Sequence, residues 1–355
     1  MAKRKIQKSP RRGAAKRKTL ASPAAPPIPL RIFQTLNAFQ QTAAMRAAIK
    51  LDIFTGIAEG ATTAGAIATR SGASERGMRI LCDFLVILGF LIKKRMRYGL
   101  TPDAAVFLDK RSPAYMGSAV RFLNAPEIIH AYDNLTEAVL RGGTAMSKEG
   151  TIIPENPLWV EFARSMAPLM ALPAKAIAEM AAGRGPCRVL DIAAGHGLFG
   201  IEIARHNPQA EIVALDWPNV LEVAKENARK AGIDGRHSTL PGSAFEVDFG
   251  NGYHLVLLTN ILHHFDIPTC EKLLQKACKA LAPGGRAMTL EFVPNDDRVT
   301  PPDTASFSMI MLGSTPQGDA YTFAEYKRMF ANAGFKRSEH RRLPVGPQSV
   351  IISHK

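Results

Sequence analysis

The sequence predicts an α/β protein: a doubly wound, mainly parallel sheet in the second half, preceded by a smaller, mainly helical winged-helix domain. Three observations predict it. Apolar runs and helical patterns alternate from residue 187 onward. The run Val189-Leu190-Asp191-Ile192 leads into Ala193-Ala194-Gly195-His196-Gly197 and then a helical pattern, which reads as a strand, a tight turn of bare backbone and a helix start. A second apolar run, Ile212-Val213-Ala214-Leu215, ends in Asp216. That acid falls about twenty residues after the turn, where a carboxylate can accept two hydrogen bonds from a ribose diol. Together they describe a nucleotide-type cofactor site on a parallel sheet.

The elements follow in order. Residues 1–30 hold Lys3, Arg4, Lys5, Lys8, Arg11, Arg12, Lys16, Arg17 and Lys18 and no acid, so this tail supplies nine of the fourteen net charges. Rich in Ala and Pro, it is expected to be disordered. It reads as a polyanion-binding arm or, more plainly, as a solubilising extension. An organellar transit peptide would share its composition; a secretory signal is not expected, because no apolar run follows the charges. Residues 31–150 carry the winged-helix reading. Leu36, Phe39, Ala43 and Ala47 recur at helical spacing, and a further helix is expected over 48–56. Another starts at Thr62-Thr63, with Thr as N-cap. A longer one spans 74–89 with Met78, Leu81, Phe84, Leu85 and Leu88 inward, and a hairpin follows over 90–100.

The remaining domain is expected over 151–355. It opens with one or two linking helices over 155–182, and Gly183-Arg184-Gly185-Pro186 breaks the chain before the first strand. Strands are expected over 187–193, 211–216, 254–260 and 285–293, a short strand near 237–240, and an edge pair near 338–342 and 347–353. Helices are expected over 198–206, 219–231, 268–281 and 322–333. A chain of 355 residues can bury two cores. It has no apolar stretch long enough to span a membrane. Cys82, Cys187, Cys270 and Cys278 lack metal-ligand spacing, so reduced thiols, no metal and a cytoplasmic location are expected.

Gly195-x-Gly197-x-x-Gly200 matches the dinucleotide fingerprint, a pattern that also arises by chance. Asp191, four residues before Gly195, would repel a pyrophosphate. It could reach the turn amides or, through water, a cationic amino group. With the site placed after a helical domain, and a His-bearing loop and a strand-end acid downstream, this favours S-adenosylmethionine over NAD.

These residues, with Ile261-Leu262-His263-His264-Phe265-Asp266, Cys270, Ala282-Pro283-Gly284-Gly285-Arg286 and Glu291, resemble the S-adenosylmethionine-dependent O-methyltransferases of the caffeic-acid and hydroxyindole type, which include bacterial polyketide enzymes. The resemblance implies a Rossmann-like seven-stranded methyltransferase sheet, an N-terminal winged-helix dimerisation domain and a homodimer. It implies a small hydroxylated acceptor, aromatic or polyketide-like. His263 matches the family's general base and Glu291 an acid that orients it. A phenol ionises near pH 10, so a base titrating near 7 is useful. Asp191, Ala193, Gly195, Gly197, Asp216, Ser243, Ala244 and Thr259 match cofactor positions. Phe162, Met166 and Met311 match pocket-lining positions, with Ser314 and Thr315 close by. The pattern departs in places. His264 stands where relatives carry Asp, leaving open a swapped role for the two histidines. Ala320 stands where many carry a second acid, with Asp319 beside it. Ser243-Ala244 replaces an Asp-Met pair, and Thr259 a frequent Lys.

Other readings compete. A winged-helix DNA-binding regulator would need a cationic recognition helix, yet the stretch from Thr63 to Arg70 has one basic residue and the next helix adds Arg76 and Arg79. An NAD-linked oxidoreductase and a C- or N-methyltransferase fit the same sheet type. Neither nucleic-acid nor membrane partners are expected.

Overall fold

Seven runs in the second half pair into one sheet: β1 (Cys187–Ile192), β2 (Ala210–Asp216), β3 (His237–Pro241), β4 (Tyr253–Thr259), β5 (Leu281–Glu291), β6 (Arg337–Arg342) and β7 (Ser349–His354). The computed structural model describes residues 28–355 except Ala182, Arg184 and Val345. The basic tail therefore lies outside the described residues up to position 27, as does part of the expected break at 183–186. The chain divides into an N-terminal unit ending at Ala43 and a second unit from Ala44 to Lys355. In the first, helix Leu30–Leu36 has no buried residue.

The sheet order is β3-β2-β1-β4-β5-β7-β6, and only β7 runs antiparallel to its neighbours. Both faces are covered, which is why β1 and β4 read as largely apolar runs rather than as alternating ones. Helices Ile267–Ala280 and Phe323–Asn332 cover one face through Leu273, Leu274, Tyr326 and Phe330. Helices Ala167–Ala181 and Leu198–His206 cover the other through Ile177, Phe199 and Ile201. The strand order reverses between β1 and β4, so a crevice opens beyond their carboxyl ends, where such sheets bind ligands. Both rims carry a non-glycine residue in the left-handed region, Ala193 at φ 54° and Asn260 at φ 58°.

The winged-helix reading holds in outline. Helices Ile53–Ala58, Ala64–Ser71 and Glu75–Ile87 precede a two-stranded hairpin, Leu91–Lys94 with Arg97–Leu100. Thr63 caps the second helix through the Ala66 amide, and Ser74 the third through that of Gly77. One expected boundary moves. No helix begins at Ala48; helix Phe39–Lys50 runs through it, and the chain turns at Asp52, whose left-handed φ of 55° ends that run. Of the cations that a phosphate-gripping helix would need, Arg70 pairs with Asp52 and Glu59 and Arg79 with Asp83, while Arg76 makes no ion pair among the described residues. Among the described residues no helix is long and apolar enough to cross a membrane.

Helix Phe307–Ser314 was not expected from the sequence. Its core, Met309-Ile310-Met311-Leu312, is apolar all round, so it lacks the helical period that marks a half-buried helix.

The third glycine of the fingerprint has a packing role. A Cβ on Gly200 would stand 2.6 Å from Ile212 Cγ2 on β2 and 3.2 Å from Asp191 Oδ2. Gly200→Ala is expected to cost about 1–3 kcal/mol of stability, read as a lower midpoint in urea unfolding. An unchanged midpoint would mean that helix and strand have room to separate.

Candidate active site

The turn after β1 is built by two carboxylates with separate tasks. Asp191 sits on the same sheet face as Val189, beneath helix Leu198–His206, and its Oδ2 accepts from the Gly200 amide at 3.2 Å. Its reach is therefore to the helix, which corrects the expectation that it meets the turn amides. The turn amide of Gly195 goes to Asp216 instead, 2.8 Å from Oδ2, while Asp216 Oδ1 accepts from Trp217 N at 2.7 Å. Asp216 thus ties the end of β2 to the glycine turn.

Burial dominates the titration of both acids. Desolvation pushes Asp191 up to about 7, against the opposing Gly200 bond, and its Oδ1 is enclosed without a partner. Desolvation pushes Asp216 up to about 6, again opposed by its two backbone bonds. His196, inside the turn, is pushed down to about 4 by burial, and its Nδ1 accepts from Leu198 N at 3.2 Å. A neutral imidazole thus caps the helix start.

Phe162 lies over this turn. Its ring stacks near-parallel to His196 at 6.4 Å, and its Cε1 would be 3.8 Å from a Cβ on Gly195. Phe122 and Trp159 meet it edge-on at 5.0 and 5.9 Å. Met166 is buried at the end of the same helix, Pro157–Ser165. Ser243 and Ala244 follow β3, and the Gly242 amide donates to the Asp216 carbonyl at 3.0 Å, so they sit beside that carboxylate. Ser243 Oγ accepts from Phe245 N, and the Ala244 carbonyl accepts from Lys276. Thr259 is buried at the end of β4.

Across the crevice, Asn260 carries the chain from β4 into the short turn Leu262–His264. Glu291, fully buried at the end of β5, holds this loop at three points. Its Oε1 accepts from the amides of Ile261 (3.1 Å) and Leu262 (2.8 Å), and its Oε2 lies 2.5 Å from His263 Nδ1. His263 is 3% exposed. Phe307 meets its ring edge-on at 4.8 Å, and Phe307 stacks on Phe292 at 3.6 Å. His264 lies 4.3 Å from His263 and edge-on to Trp159 at 5.1 Å. Burial, then repulsion from His263, pushes His264 well below the ordinary histidine range. Glu291 therefore touches one histidine of the pair, and the other stays neutral.

Met311 is buried, but Ser314 and Thr315 present no free hydroxyl. Ser314 Oγ donates to the Ile310 carbonyl and Thr315 Oγ1 to that of Met311, both at 2.7 Å. Asp319 does not reach the histidine loop. It pairs with Arg298 at 3.0 Å and accepts from Ala320 N at 2.8 Å. Several contributors escaped sequence reasoning. His196 lay inside the motif, unweighed. Asn260 directly follows an apolar strand, yet its partner Gln348 is distant in sequence and only the fold brings the two side chains into hydrogen bond.

The comparisons with known proteins follow this geometry. Residues 145–336 match the O-methyltransferase domain, and residues 33–110 match the O-methyltransferase dimerisation domain. The chain belongs to the O-methyltransferase family. This O-methyltransferase is 31% identical over 303 residues to 3-hydroxy-5-methyl-1-naphthoate 3-O-methyltransferase of Streptomyces sahachiroi, covering 83% of this chain and 86% of that one. It is 54% identical to a candidate O-methyltransferase of Nostoc punctiforme known from a crystal structure, with a TM-score of 0.91 over 93% of this chain and all of that one. Human N-acetylserotonin methyltransferase, crystallised with S-adenosylmethionine, shares the fold at 20% identity and a TM-score of 0.81, over 94% and 99% of the two chains.

The buried acids give a pH signature. Asp191 has an ordinary value of 3.8 and is raised to about 7 in the fold. The folded state therefore binds the proton more tightly than the unfolded chain. The stability this contributes is present at low pH and is lost as pH rises from about 4 through about 7. Relative to Asp191→Asn, the ligand-free wild-type protein should lose thermal stability between pH 5 and pH 8; His196 and His264, kept neutral by burial, act in the opposite sense but equally in both proteins. Parallel melting curves across that range would contradict a buried, ionising Asp191.

Proposed function

We propose that His263 is the general base for methyl transfer to a hydroxyl of a small aromatic or polyketide-like acceptor. The observation that carries this reading is the bond between His263 Nδ1 and a fully buried Glu291. With Nδ1–H donated to a carboxylate, the lone pair of the ring lies on Nε2. Among the described residues Nε2 has no hydrogen-bond partner, and it is not one of the enclosed atoms. It can take a proton from an acceptor hydroxyl while Glu291 stabilises the resulting imidazolium. His264 remains neutral beside it, so a like charge does not oppose that step.

The residues around the glycine turn fit S-adenosylmethionine. Each Asp216 oxygen has accepted one backbone amide and retains capacity for a further donor, as a ribose diol requires. Gly195 presents bare backbone beneath Phe162. Ser243 and Ala244, beside Asp216, would border the adenine, and Thr259 the mouth between the two strands. Asp191, enclosed behind the turn with Oδ1 unpartnered, suits a nearby positive charge through its field rather than by contact. When bound, the cofactor supplies a methyl group already activated as a sulfonium. The protein's task is then alignment and proton removal.

Phe122, Trp159 and Phe162 form an aromatic wall that faces the histidine loop through His264, and buried Met166 and Met311 are proposed as further apolar lining of the acceptor pocket. A flat ring suits such a wall, and the Streptomyces relative is named for a hydroxynaphthoate. Ser314 and Thr315 contribute to this side by fixing backbone. The dimerisation-domain match supports pairing of two copies, and exposed Ile80 and Ile87 on helix Glu75–Ile87 supply apolar surface for it. Cys82, Cys187, Cys270 and Cys278 are free, which fits a reducing compartment such as the cytoplasm.

Replacing His263 by Gln should lower turnover of phenolic acceptors by about 10²–10⁴-fold, measured as S-adenosylhomocysteine release. Calorimetric affinity for S-adenosylhomocysteine should stay within about threefold of wild type. Equal losses in both would assign the residue a structural role.

A further inference from the structure

Behind the histidine loop runs a strap, residues 315–321, that grips the loop through its backbone. Gly318 packs so closely that a Cβ there would overlap the carbonyl oxygen of His263. Its amide donates to Thr315 Oγ1 at 2.9 Å, which fixes the glycine in place. Three residues on, Tyr321 is buried, and its hydroxyl donates to the carbonyl of Phe265 at 2.6 Å. Burial pushes this phenol far up, so it remains a donor. The strap therefore meets the loop at His263 and again at Phe265.

The strap cannot retreat from these contacts. Thr144 N donates to the Thr315 carbonyl at 2.9 Å, and a Cβ on Gly143 would overlap the Pro316 carbonyl oxygen. Thr151 Oγ1 donates to the Ser314 carbonyl at 3.0 Å, and the Thr151 carbonyl accepts from Trp159 Nε1 at 3.0 Å. The chain of contacts thus closes at Trp159, whose ring touches His264. The strap offers His263 no carboxylate. Ala320 has none, and that of Asp319 is turned to Arg298.

We propose that Gly318 and Tyr321 are positioning residues for methyl transfer: they hold the backbone of the histidine loop so that the His263 imidazole stays on Glu291 with Nε2 toward the acceptor. This rests on the reading of His263 as the base. Tyr321→Phe keeps the ring and removes one hydrogen bond. It is to be made in the wild-type chain and in His263→Gln, with melting temperature recorded for each. In the wild-type chain kcat should fall about tenfold with little change in KM for S-adenosylmethionine. In the His263→Gln chain the same change should cost nothing further, because the group it positions is gone. Gly318→Ala, which presses a methyl on the His263 carbonyl, repeats the comparison from the other end of the strap. Equal fold-losses in both backgrounds, or no loss in the wild-type chain, would overturn the proposal while leaving His263 as base. Full turnover by His263→Gln alone would remove the base reading and this proposal with it.

Discussion

Glu291 is a carboxylate with no exposed surface, and such a group is costly unless its oxygens are satisfied. It is satisfied by one loop: two backbone amides on one oxygen, an imidazole on the other. The coupling works in both directions. Moving the loop would strand the carboxylate, and removing the carboxylate would leave two buried amides and a histidine without orientation. The position of His263 is thereby fixed by the sheet itself, since Glu291 ends β5 in register with Ser349 of β7.

The cofactor side depends on the same device with other residues. Asp216 ends β2 and holds the Gly195 amide; Asp191 lies within β1 and holds that of Gly200. Acids on the strands thus hold backbone beyond the sheet edge, Asp191 after its own strand and Asp216 after the neighbouring β1. The two rims converge where the strand order reverses, and there Ala193 and Asn260 adopt left-handed backbone that costs about 1–3 kcal/mol each. The surrounding bonds hold them: Asn260 N to the Leu290 carbonyl, its side chain to Gln348, and Ala194 N to the Leu215 carbonyl. Two of the left-handed non-glycine positions thus sit on the crevice rims, with rigid sheet beneath them.

Much of this was legible in the sequence, for physical reasons. Strands buried on both faces must be apolar along their length, so β1, β2 and β4 announced themselves, and helix Leu198–His206 followed from the turn before it. His263 and Glu291 are nominated by the family resemblance that the ordered motifs carry. What could not be read was which histidine the acid touches, because adjacent residues differ only in the direction a turn sends them. Nor could the sequence show that Asp191 bonds the Gly200 amide of the helix rather than an amide of the turn, since this depends on the face of β1 from which the side chain leaves. Ser314 and Thr315 read as pocket hydroxyls, yet hydroxyls at a helix end bond back to the carbonyl one turn earlier. The strap at 315–321 left little signal beyond Gly318, because what it touches on the histidine loop is backbone, the carbonyls of His263 and Phe265.

The central claim is that Glu291 sets the tautomer of His263 and leaves Nε2 bare. Nitrogen-15 NMR of the histidine-labelled enzyme, at a pH where the ring is neutral, reads this directly. The account predicts a protonated Nδ1 and an unprotonated Nε2 for His263, with the Nδ1 proton shifted downfield by its short bond to the carboxylate. A proton on Nε2 with Nδ1 bare would contradict it.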